Sequence, residues 1–145
     1  MGFTFDKKPT IEIDGRLYVC DPTDVGLIEG ILENYPKIIR LGADFERIKS
    51  ELVKASKDPD KAEEKNKEFL EKHKELLMEC RAFIHGTLGV EEYNEIFAGR
   101  KPNSVEHLKL CVFIFNSIMQ DRAKVLEEYL DVPQGDNDAS DNAAG

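Results

Sequence analysis

The sequence has little that would carry the chain into a membrane, out of a cell or onto nucleic acid. No stretch approaches the roughly 18 consecutive apolar residues that span a bilayer, so no membrane partner is expected. The opening residues, Met1 to Lys8, hold no apolar segment of the kind a secretory leader needs. Met1-Gly2 invites a myristoylation reading, but Asp6 stands where that motif carries Ser or Thr. The expected location is therefore the cytoplasm. Cysteine is scarce: Cys20, Cys80 and Cys111 are odd in number and far apart, as suits reduced, packed thiols. Basic residues are a minority, 20 Lys and Arg against 29 Asp and Glu, for a formal net charge of -9. That balance argues against nucleic acid as a partner, which needs a basic footprint.

Groupings that run reactions are missing too. A zinc site needs ligands at short, recognisable spacings, and the three histidines, His73, His85 and His107, offer none. His107 and Cys111 are four apart and share a helix face, but two ligands do not make a zinc site. They read as a surface imidazole and a core thiol. Cys111 lies in the most apolar stretch, where burial makes a thiol inert. The carboxylate pairs Glu63-Glu64, Glu91-Glu92 and Glu127-Glu128 belong to polar helix faces. Gly86-Thr87-Leu88-Gly89 follows a helix and has no adjacent Lys, so it is no phosphate loop. No catalytic residue, cofactor or metal is expected. One small basic cluster, Arg100-Lys101 with Lys109, reads as a solvated loop or as a site for an acidic partner.

What is present is a pattern of helices. The hydrophobic share of 41% supplies a thin core, and the charged share of 34% suits long solvated helices. Residues 9–20 alternate, with Ile11 and Ile13 before Asp14-Gly15 and Leu17 and Val19 after it. An Asp-Gly pair between alternating runs predicts a two-strand hairpin, and a lone hairpin must pack one face on helices. Asp21-Pro22-Thr23-Asp24 opens a helix over 22–55, whose apolar positions include Val25, Ile28, Ile31, Leu32, Tyr35, Ile38, Ile39, Phe45, Ile48 and Leu52. Pro36 falls inside it, so a kink or brief interruption is expected. Asp58-Pro59 marks a turn into a second helix over 60–86, making an antiparallel helical hairpin with a polar tip at 54–68. Gly86 and Gly89 end that helix.

A short helix follows at 90–98, closed by Gly99, and Pro102-Asn103-Ser104 starts a final helix at 104–130. Its centre, Leu110 to Phe115, is apolar on every side. Either it runs through the middle of the fold or part of it is exposed for a partner. Residues 132–145 keep no apolar period and read as a disordered, acidic tail. The expected fold is α+β, mainly α: one domain over 1–131, with the N-terminal β-hairpin packed on a four- or five-helix assembly.

The order of these features resembles a family. "IEIDGRLYVCDPTD" leads straight into a helix. Later comes "ECRAFIHGTLGVEEYNEIFAGRKPNSVEHLKLCVFIFNSIMQ": a helix ending in a glycine turn, a short helix ending in "IFAG", and a closing helix after an Asn-Ser cap. This is similar to the tail assembly chaperones of long-tailed phages and prophages, encoded between the tail-tube and tape-measure genes. Leu88, Gly89, Ile96, Phe97, Gly99 and Asn103 stand at the family's positions, and the resemblance covers most of residues 10–130. The polar insert at 54–68 and Ala98 within the turn depart from the pattern. The resemblance implies a helical protein, absent from the finished particle, that coats the tape-measure protein, keeps it soluble and helps tail-tube subunits polymerise. Many members also exist in a longer form made by a ribosomal frameshift near the C-terminus.

The expected partner-facing residues are whichever of Ile96, Phe97, Phe113 and Phe115 reach solvent. Self-association into dimers, rings or spirals stays open. Two other readings stand beside the chaperone: a structural tail or head-completion subunit, and a helical regulatory adaptor.

Overall fold

The computed structural model describes the backbone of residues 1–5, 7–101 and 103–144, and the surroundings of side chains as far as Glu128. It is mainly helical with an N-terminal two-strand hairpin, as the sequence predicts. The elements run β1 (Thr10–Ile13), β2 (Arg16–Val19), α1 (Val25–Ala55), α2 (Pro59–Thr87), α3 (Val90–Ile96) and α4 (Ser104–Ala144). The disordered tail expected at 132–145 lies outside the residues whose surroundings are described.

The hairpin turns at Asp14 and Gly15, with φ of 50° and 78°. Two successive positive φ values give the turn whose twist matches the strands. Ile11 faces Tyr18 across the ladder and Glu12 faces Leu17. Ile11 and Tyr18 are buried, whereas Leu17 and Val19 are exposed. The inward residue of β2 is thus the tyrosine, whose hydroxyl reaches the Glu95 carboxylate of α3 at 3.1 Å. Arg16 pairs with the same carboxylate and, as the larger cause, holds it below the usual range.

Asp24, not Asp21, caps α1, accepting a hydrogen bond from the Leu27 amide at 3.2 Å. Asp21 instead closes a local turn on the amide and hydroxyl of Thr23. The helix therefore starts three residues later than Pro22 suggests. It then runs unbroken through Pro36 to Ala55, so the expected interruption is absent. The packing of the apolar positions on both sides of Pro36 outweighs the one missing amide.

Asp58 caps α2, with Pro59 in its first turn. Three residues join the helices, and their ends are tied by Lys65 to Glu51 at 3.2 Å. Further along, Phe45 lies on Phe69 with centroids 4.8 Å apart, and Tyr35 lies near Phe83 at 5.8 Å. These pairs make α1 and α2 antiparallel. Gly86 does not end α2, which continues to Thr87 with Leu88 as its C-cap. Gly89, at φ 118°, makes the turn into α3.

The core forms where three helices meet. Ile31, Ile38 and Phe45 of α1 join Leu76, Cys80 and Ile84 of α2 and Cys111, Ile114 and Ile118 of α4. The seven-residue step on α1 and the steps of three and four on α4 place each set on one face. Each buried Ile or Leu contributes about 1.5–3 kcal/mol.

Candidate partner-binding surface

The junction of α3 and α4 shows what happens to the aromatic residues expected to face a partner. Two glycines with positive φ, Gly89 at 118° and Gly99 at 74°, bracket α3 and fold it back toward α2. Asn103 starts α4 by accepting from the amides of Val105 and Glu106. One residue on, the buried Ser104 hydroxyl lies 3.2 Å from His73 Nδ1 of α2.

His107, read from the sequence as a surface imidazole, is 1% exposed. Its Nδ1–H donates to the Asn103 carbonyl at 2.7 Å. That fixes the neutral tautomer, so Nε2 accepts the Tyr93 hydroxyl proton at 2.6 Å. The Tyr93 oxygen in turn accepts from Arg81 Nε at 3.2 Å. Burial lowers the His107 pKa, with the nearby Arg81 adding to the effect and the Asn103 bond opposing it. A ring with both nitrogens satisfied can be buried, and this one stacks on Phe97 at 4.0 Å and 12°. His85 meets the Tyr93 ring edge-on at 4.7 Å, and its Nε2 is buried without a partner.

Three of the four expected partner residues are therefore partly covered. Ile96 and Phe97 pack against the core from the α3 side. Phe115 stacks on Tyr35 of α1, 3.8 Å apart and nearly parallel. Only Phe113 is open, at 45% exposure. The basic cluster near them is engaged at one end: Arg100 pairs with Asp14 of the hairpin turn at 3.1 Å and with Glu106 at 3.3 Å.

One open apolar surface lies elsewhere, along the cleft between α1 and α4. Val25, Leu32 and Ile39 are 69%, 61% and 45% exposed. They are seven residues apart, so they form one column on α1. Val105, Val112, Met119 and Leu126 repeat the same step on α4, and all four are exposed or half-buried. A methyl group on Gly42 would come within 3.2 Å of Leu108. Together with the Tyr35–Phe115 stack, that contact sets α1 and α4 antiparallel. In this register Met119 falls within a residue of the level of Leu32, and Val112 within a residue of Ile39. At the far end Pro22, Val25, Ile28, Val125 and Leu126 surround a cleft of about 280 Å³, with Glu29 and Arg122 at its rim. The sequence held the signal for this face in its seven-residue spacing. Those positions read there as one more row of the α1 core.

Cys20, Cys80 and Cys111 are buried free thiols. Burial, with Asp121 adding, pushes the Cys20 thiol up to about 11. Cys111 is raised by its contact with Cys80 and by burial. Among the described residues no three His, Cys, Asp or Glu side chains are placed to hold a metal. No described helix is long and apolar enough to cross a membrane. No protein family, curated protein or solved structure matches the chain.

Proposed function

We propose that this chain is a non-enzymatic assembly chaperone of the phage tail type, acting in the host cytoplasm. It holds a helical segment of a tape-measure protein until tail-tube subunits replace it. The observation that carries the reading is the pair of seven-residue columns bordering the α1–α4 cleft. Such columns are what an amphipathic helix with its own apolar repeat lies against. Apolar burial supplies the affinity, at about 25 cal/mol per Å² of apolar surface covered. The excess of 29 acidic over 20 basic residues keeps the complex dispersed. The order of elements resembling the tail chaperones, from the hairpin to the "IFAG" turn, supports a tape-measure protein as the client.

Coexpression tests this. The tape-measure protein should be insoluble alone and recovered as a soluble complex with this chain. Leu32→Asp with Met119→Asp should abolish recovery, while Phe97→Ala acts only through stability. A tape-measure protein equally insoluble with and without the chain overturns the reading. Incorporation of the chain into finished particles would assign it instead to the structural subunits.

A further inference from the structure

Three charged residues border the exposed column of α1. Glu29, Glu33 and Arg40 lie on its solvent side, all exposed, and none is ion-paired with another described residue. They stand in a fixed order along the helix, acid, acid, then base, with the exposed Pro36 between them. A neighbouring helix of the same sequence laid parallel would set like charges side by side. Laid antiparallel, it meets the opposite order.

One antiparallel register pairs Leu32 with Ile39 and matches these charges at the same time. Set Leu32 of one copy against Ile39 of a second; two-fold symmetry then sets Ile39 against Leu32. The sequence numbers of facing residues sum to 71 in this register, so Arg40 falls level with residue 31 of the other copy. That position lies between Glu29 and Glu33. The same pairing recurs across the axis, which passes next to Pro36, where a side chain without a charge is needed.

We propose that a second copy of this chain covers the α1 column in the absence of a client. The result is an isologous antiparallel dimer held by Leu32–Ile39 contacts and by Arg40 seated between the two glutamates. The inference rests on reading the α1–α4 face as the docking face, and it adds how that face is kept from aggregating. The stretch paired about the axis, from Glu29 to Gly42, is about 21 Å long at 1.5 Å per residue. With the α4 lip it is about two helix diameters wide, near 20 Å. A footprint of that size belongs with small, exchangeable interfaces rather than permanent ones. A client helix competes for the same residues, so dimer and loaded chaperone exclude each other.

Sedimentation equilibrium of the full chain alone tests this without any client. Wild type should pass from monomer to dimer as concentration rises. Glu29→Lys with Glu33→Lys in one variant, and Arg40→Glu in another, should each stay monomeric, because each sets like charges together. Circular dichroism should show both folded, since all three side chains are exposed. Mixed in equal amounts, the two variants should form a dimer again, and the triple variant should dimerise with itself. A monomeric wild type at every concentration overturns the proposal, as do variants that dimerise like wild type or a mixture that stays monomeric. Loss of tape-measure recovery in the coexpression test leaves this result untouched.

Discussion

The α3–α4 junction and the α1–α4 cleft both hold large apolar side chains and treat them in opposite ways. At the junction Tyr93, Phe97 and His107 cover one another, and the buried polar atoms of the tyrosine and of His107 have partners. In the cleft Val25, Leu32 and Ile39 stand open, flanked by exposed charged residues rather than covered by rings. Aromatic content is therefore a poor guide to where a protein is sticky. Aromatic rings bury more surface per residue and repay being covered first. The aliphatic row left over becomes the place for a partner.

The comparison breaks most visibly at Tyr93. Tyr93→Ala removes a buried ring and strands His107 Nε2, so urea unfolding should show a loss of about 3–5 kcal/mol. Tyr93→Phe keeps the ring and should cost about 1–3 kcal/mol for the unpaired imidazole nitrogen. A smaller loss for Ala than for Phe would mean that the junction is not packed as described. Gly89→Ala should cost about 1–3 kcal/mol. A side chain there must adopt φ 118°, and its Cβ would lie 2.2 Å from Glu92 Oε1.

The junction should also respond to acid. His107 has a lowered pKa in the folded chain, so below the unfolded value near 6.5 the unfolded state binds the proton first. Its contribution is complete above that pH. It is lost as pH falls from about 6.5 to the lowered folded value, and then stays flat. Stability measured against pH should slope in that window, and His107→Gln should flatten the slope. In the cleft, Leu32→Ser with Ile39→Ser should change monomer stability by no more than about 0.5 kcal/mol. Docking, in contrast, should be lost. A large loss of stability there would show that the row is core after all.

How far the sequence was readable follows the same division. Asp14-Gly15 and Asp58-Pro59 act through the backbone of a few neighbouring residues, so the hairpin and the helical turn were legible. Which strand residue points inward was not, because Tyr18 is drawn in by Glu95, distant in the chain. His107 was misread for the same reason. Its burial depends on an acceptor one turn back and on Tyr93 fourteen residues away. The start of α1 was misplaced because Asp21 and Asp24 both look like caps, and the local turn that Asp21 closes decides between them. The apolar arc on α1 is wide enough for two columns. Periodicity finds both, but only the position of α4 decides which one is covered.

Gly42 has an effect on shape that its small size hides. With no side chain, it lets Leu108 of α4 close to within 3.2 Å of the site of a Cβ, while the other end of the cleft holds about 280 Å³ between Val25 and Leu126. The Tyr35–Phe115 stack sits between these ends as a spacer. The cleft is thus a taper rather than a trough, and a tapered slot accepts a key in one direction only. A helix with bulky residues at one end and small ones at the other would seat in a single polarity. A row of such slots along a long client would then all point the same way.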